Sequence, residues 1–144
     1  MDGPVPVFDA NDPSLSAPGE MPTRIADVLR AQGHAVPDGR AAFARSIVES
    51  IAAAFAGAIR SAAELSGRPV RTIHLVGGGS LNRVLCQATA DRSGVPVLAG
   101  PVEATALGNV LVQARTLGAV PSTLEELRAL VSRTHSPERY TPRP

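Results

Sequence analysis

Residues 73–82, Ile-His-Leu-Val-Gly-Gly-Gly-Ser-Leu-Asn, decide how this chain reads. An apolar run opens into three glycines and a helical pattern follows, which predicts a strand, a tight turn and a helix. Lacking a Cβ, Gly77, Gly78 and Gly79 can adopt positive φ and let a phosphate or ribose approach the backbone. The first N–H groups of the following helix would face an anion held there. The outline is that of a nucleotide-binding turn; a purely structural strand-to-helix turn is the alternative.

Spacing separates the kinds of nucleotide turn. A phosphate-binding P-loop ends in Gly-Lys-Ser/Thr, with the lysine reaching the β- and γ-phosphates, and the 144 residues contain no lysine. A dinucleotide-binding turn needs Gly-x-Gly-x-x-Gly and an acidic residue at the end of the next strand. Here Asn82 stands where the third glycine should be, and the next strand, Val95–Leu98, runs into Ala99-Gly100 without a carboxylate. An ATP-binding turn whose glycine backbone lies against the adenosine remains.

Outward from the turn, the second strand leads through Gly100-Pro101 into a helix over 103–117, so strand, helix over 81–93, strand and helix form a parallel βαβ unit. Before it, Phe43, Ile47, Ile51, Phe55 and Ile59 recur every four residues, predicting a core-facing helix over 40–66 that Asp38 caps. A short helix over 22–32 ends at Gly33, and residues 1–19, with four prolines, read as an extended arm. Ser122 and Glu125 have capping-box spacing for a last helix, and a proline- and arginine-rich tail follows. Only two strands are legible.

Composition narrows the class. Net charge is +1, the 14 basic residues are all arginine and scattered among 13 acids, and 3% of residues are aromatic. That offers neither a basic patch nor stacking platforms for nucleic acid. The apolar stretch Ile51–Ile59 is shorter than a membrane span, and the opening Met-Asp-Gly-Pro has no signal-peptide pattern, so no membrane partner and a cytoplasmic location are expected. A single cysteine, Cys86, has no disulfide partner and reads as a buried helix residue.

Several stretches together resemble the closing part of the FGGY carbohydrate kinases: Glu49-Ser50, the triple glycine with Asn82, Ala90-Asp91, Val95-Pro-Val97, and Gly100-Pro-Val-Glu-Ala-Thr-Ala-Leu-Gly-Asn109 followed by Gln113. Upstream, Phe8-Asp-Ala-Asn-Asp-Pro13 and Pro18-Gly-Glu-Met-Pro22 are similar to the branch of that family that phosphorylates L-rhamnulose. The resemblance implies an α/β fold that is part of an actin-like (ribonuclease H-like) ATPase lobe. Residues 1–37 would be an arm with a short helix, and residues 38–144 the C-terminal half of the second lobe. It further implies ATP- and Mg²⁺-dependent phosphorylation of the sugar's 1-hydroxyl, with Gly77, Gly78, Gly79 and Asn82 binding the adenosine.

No residue of the chain matches the family's catalytic aspartate, its phosphate turns or a metal ligand, so the preceding lobes are implied as partners and the chain alone is expected to be inactive. An exposed sheet edge would allow self-association. Two other readings stand beside this one: a nucleotide-binding or interaction module without catalysis, and an FGGY kinase for another sugar such as xylulose or glycerol. The sugar-contacting residues lie outside the segment and do not decide between sugars.

Each remaining polar residue has a bland reading. Asn82 solvates a helix start or faces the adenine; Arg83 is a surface arginine or stacks on the base. Glu103 suits the first turn of its helix, and Asp91 reads as structural. Gly108 is expected to let its helix pack closely beside the nucleotide pocket, which Asn109 would line. His34, His74 and His135 are far apart and receive no chemistry.

Overall fold

Three short strands organise the chain: β1 (Ile73–Leu75), β2 (Val97–Ala99) and β3 (Glu138–Tyr140), in the order β1-β2-β3. In the computed structural model, which describes residues 4–144, β1 and β2 are parallel, with Ile73 opposite Val97 and Leu75 opposite Ala99. β3 runs antiparallel to β2, pairing Tyr140 with Val97. The sheet is therefore mixed, and the βαβ unit predicted from the sequence is its parallel part.

Five α-helices occur among the described residues: α1 (Met21–Ala31), α2 (Arg40–Ser66), α3 (Arg83–Ser93), α4 (Ala104–Thr116) and α5 (Leu124–Thr134). Period-2 alternation sends Ile73, Leu75, Val97, Ala99 and Tyr140 to one face, where they form a core with Ala52 of α2 and Leu85, Cys86 and Ala90 of α3. Burying an aliphatic side chain of this size contributes roughly 1.5–3 kcal/mol. His74, between them on β1, points to the opposite face and is exposed.

The described part of the arm, from residue 4 on, is docked against the helices. Phe8 is buried with Ile25, Val28 and Leu29 of α1. Its N–H donates to Ser50 Oγ at 3.0 Å, Ser50 Oγ donates to the Ser46 carbonyl at 2.7 Å, and Ser46 Oγ donates to the carbonyl of Pro6. The first three residues of the predicted arm lie outside the described residues.

Helix α2 departs from its predicted packing. Its fully buried residues are Ser46, Ser50, Ala52 and Ala56, because small side chains let α3 and the arm approach its backbone. The predicted apolar stripe is only partly covered, and Phe55 is 41% exposed. Gly39 is the N-cap, with no side-chain cap bond, so Asp38 does not cap the helix. At 27 residues α2 is long and apolar enough, by length and composition, to cross a bilayer, beyond what Ile51–Ile59 alone implied; one face is nonetheless packed into the protein core.

Two further expectations are corrected. The capping box of α5 is Thr123 and Glu126, one residue after the predicted pair, with Thr123 Oγ1 accepting from the Glu126 N–H. The tail is not merely a loop, because it supplies β3.

Candidate nucleotide site

The glycine turn follows β1 as predicted, and its three glycines serve different ends. Gly77 has φ 77° and ψ −169°, a region that side chains other than glycine's hydrogen rarely tolerate. Its carbonyl accepts from the Ser80 N–H at 3.0 Å and Ser80 Oγ at 2.7 Å, closing a 3-10 turn over Gly78–Leu81. At Gly79 a Cβ would lie 3.4 Å from Leu75 Cδ2 and 3.8 Å from Leu85 Cδ2, facing the interior. Gly78 has neither constraint: its φ is not positive, and a Cβ there would meet no atom within 4 Å. Nothing among the described residues requires glycine at that position.

Asn82 is the N-cap of α3, its Oδ1 accepting from the Leu85 N–H at 3.1 Å. The bland reading of Asn82, satisfying the start of its helix, therefore holds for its carbonyl oxygen. Cys86 is fully buried one helical turn on, with Sγ 3.6 Å from the Ser80 carbonyl. Burial pushes its thiol up, away from the reactive thiolate.

A second turn lies alongside. The Gly100 N–H donates to the Leu75 carbonyl at 2.8 Å and the Gly77 N–H to the Pro101 carbonyl at 3.3 Å, joining the two loops that leave the parallel strands. In open α/β sheets, ligands settle outside the carboxyl ends of the strands. There the chain forms a cavity of about 410 Å³ lined by Ser80 and Leu81 after the glycines, Gly100 and Pro101 of the second loop, and His135 and Ser136 of the α5–β3 connection; none of the predicted residues Gly77, Gly78, Gly79 and Asn82 lines it, and Gly79 instead borders a separate cavity with Phe55, Ile59 and Leu75.

That connection had no signal in the sequence reading. It is anchored by three side chains on one face of α3, at positions i, i+4 and i+8. Arg83 pairs with Glu138 at 2.8 Å, Gln87 Nε2 donates to the Thr141 carbonyl at 2.8 Å, and Arg143 donates to Asp91 through its backbone N–H, Nε and NH2 at 2.8, 3.1 and 2.8 Å. Burial pushes the Asp91 carboxyl up, but the hydrogen bonds from Arg143 and Gln87 outweigh it and hold the group below its usual range. The Arg83 bond likewise lowers Glu138. Arg83 is thus a surface ion-pair partner, and Asp91 has the structural role read from the sequence.

Gly108 and Asn109 are not at this cavity. Gly108 lines a separate groove between α4 and α5 with Leu111, Leu127 and Val131. No atom lies within 4 Å of a Cβ placed on it, so the close packing expected of it is not made among the described residues. No group of three or more histidine, cysteine or carboxylate side chains able to hold a metal ion occurs among the described residues.

Comparison with known proteins is consistent across the chain. Residues 1–117 match the C-terminal domain of the FGGY family of carbohydrate kinases. A rhamnulokinase of Bacteroides thetaiotaomicron is 38% identical over 136 residues, which cover 94% of this chain and 28% of that protein. A rhamnulokinase of Pectobacterium atrosepticum is 40% identical over 139 residues, covering 96% of this chain and 28% of that protein. A third, from Pectobacterium carotovorum, is 40% identical over 137 residues. The chain spans little more than a quarter of the length of these relatives.

Proposed function

The chain belongs to the FGGY family of carbohydrate kinases, and from that premise we propose that it is the adenosine-binding part of a rhamnulokinase. The observation that carries this reading is Gly78: a glycine with ordinary φ, open space above it and no neighbour that demands it, set at the carboxyl end of a parallel strand. A ligand pressed against the backbone accounts for it.

In this reading the fold is the C-terminal half of an actin-like, ribonuclease H-like lobe. Residues 1–37 are an accessory arm and short helix, whose described part from residue 4 on is docked on α2 through Phe8 and α1, residues 38–144 are the half-lobe itself, and the open edge of β1 is where the rest of the lobe continues. Gly77 shapes the turn, Gly78 and Gly79 present backbone to the nucleoside, and the Asn82 NH₂ donates to the base. Asn82 is held for this by its cap bond to Leu85, a pre-organised position that needs no rearrangement on binding.

Phosphoryl transfer depends on positioning and on stabilising the charge of the transferred group. This chain supplies positioning only. Among the described residues there is no group of three or more histidine, cysteine or carboxylate side chains for a metal ion. By the family resemblance, the base that takes the proton of the L-rhamnulose 1-hydroxyl and the sugar site belong to the preceding lobes, with Mg²⁺ accompanying the ATP phosphates there, and the complete enzyme works in the cytoplasm.

Amide NMR of the chain titrated with MgATP tests the reading. Shifts centred on residues 77–82 are expected, with no sugar phosphorylation by the chain alone in a coupled assay. Unmoved amides at the turn under saturating ATP, or turnover by the isolated chain, would refute it.

A further inference from the structure

Among the described residues β1 has β2 as its one neighbour. The Ile73 N–H donates to the Pro96 carbonyl at 2.9 Å and the Leu75 carbonyl accepts from the Gly100 N–H at 2.8 Å. The backbone groups of successive strand residues point to opposite sides, so the N–H and C=O of His74 face the open edge, and Val76, 47% exposed, follows it there. An edge of this kind can accept a further strand.

The surfaces that flank the edge define which strand fits. On the face of Ile73 and Leu75, a cavity of about 470 Å³ lies against Phe55, Ala58 and Ile59 of α2. On the face of the His74 side chain, a groove of about 640 Å³ lies between α4 and α5, lined by Leu111, Val112, Leu124, Leu127 and Val131. Its other polar members are Ser132 and Arg128, the latter paired with Glu125 at 2.7 Å. His74 borders both spaces, so the two meet at the open edge. A strand laid along β1 sends alternate side chains into one and then the other. Polar side chains on either face would lose water against mostly aliphatic surface without gaining partners.

The occupant follows from two further observations. The matched part makes up 28% of the first two relatives described above, so most of each such protein lies outside it. A second copy of β1 fits less well, because its own middle residue, His74, would set an imidazole against one of these aliphatic walls.

We propose that the open edge of β1 takes a strand from the remaining part of the kinase that is apolar on both faces, one set of side chains filling the α2 cavity and the alternate set the α4–α5 groove. β1 is then an interior strand covered by helices on both faces, and its partner is a continuous apolar run without polar alternation. The proposal rests on the reading of the chain as part of a longer kinase and is independent of whether ATP touches the glycine turn.

Peptides stand in for that strand: Val-Ile-Val-Ile-Val between lysines, and two versions with serine at alternate positions, one for each face. In amide and methyl NMR of the dilute chain, the all-apolar peptide is expected to slow exchange of the His74 N–H and to shift signals of both Ile59 and Leu111. It should bind at least about tenfold tighter than either serine version. Phe55→Glu and Val112→Glu, at exposed positions one on each side, should each weaken it as much, whereas Leu65→Glu, exposed and lining neither space, should not. Shifts on one side only, equal binding of a serine version, or no binding would overturn the proposal, and MgATP shifts at residues 77–82 in the same sample would leave the nucleotide reading standing. Peptide binding as expected beside an unmoved glycine turn would uphold the proposal and sink the nucleotide reading alone. Protection of His74 that rises as fully with the chain's own concentration would give the edge to a second copy and overturn the proposal.

Discussion

The three consecutive glycines offer the sharpest test, because the structure assigns each a different tolerance. Gly77 sits at φ 77° and ψ −169°, a conformation that costs a non-glycine residue of order 1–3 kcal/mol. Gly→Ala substitution recovers about 0.4–1 kcal/mol through the unfolded chain. Gly77→Ala should therefore destabilise by about 0.5–2 kcal/mol, a large share of a domain stability of about 5–15 kcal/mol. Gly78→Ala has ordinary φ and open space, so only the favourable unfolded-state effect applies and stability should stay level or rise by up to about 1 kcal/mol. Gly79→Ala places its methyl in ordinary contact with Leu75 and Leu85 and should be near neutral.

ATP binding should follow the opposite order. Gly78→Val projects a branched side chain into the space above the turn, and displacing the nucleoside there should raise the dissociation constant at least about tenfold, equivalent to about 1.4 kcal/mol. Urea denaturation followed by circular dichroism gives the stabilities, and calorimetric titration with MgATP gives the affinities. A folded Gly78→Val variant with wild-type affinity would refute the assignment of Gly78 to the ligand. Unchanged stability in Gly77→Ala would show that the backbone at the turn is not as described.

Two other perturbations are informative. Asp91 titrates below its unfolded value in the folded chain, so the stability its contacts with Arg143 contribute is complete above the unfolded carboxylate range near pH 4 and is lost as pH falls through the lower folded value. Asp91→Asn should lower stability at neutral pH by about 0.5–2 kcal/mol and flatten the acid limb of the stability curve; an unaltered acid limb counts against the cluster as the source. Exposed Val76 (47%) and Phe55 (41%) flank the open edge of β1, and unpaired strand edges promote association. Light scattering should show the mass of the isolated chain rising with concentration and Val76→Lys suppressing the rise, whereas a strictly monomeric wild type would dismiss this edge as adhesive.

Local rules carried the helices and the parallel strands. The four-residue recurrence from Phe43 to Ile59 placed α2, and the glycines at 67 and 94 stopped α2 and α3 in left-handed conformations. What periodicity could not tell was which face of α2 would be buried. An apolar stripe reports where contact would be favourable, but the neighbours of α2 are the arm and α3, and these close in on Ser46, Ser50, Ala52 and Ala56 because small residues let backbones approach.

The site divides along the same line. The glycine turn was legible because a run of glycine after a strand is a local signal with a backbone reason, although it is Ser80 and Leu81 just after the glycines that line the cavity. The opposite wall depends on β3, three residues long in a tail of prolines and arginines, where no periodicity can register. Its supports, Arg83, Gln87 and Asp91, are spaced i, i+4 and i+8 on α3 and look like any solvated helix face until their partners at 138, 141 and 143 are brought alongside by strand pairing. A polar stripe flanking a glycine turn is therefore also a possible anchor for a distant segment. In this chain, that segment brings His135 to the cavity beside Ser80 and Leu81.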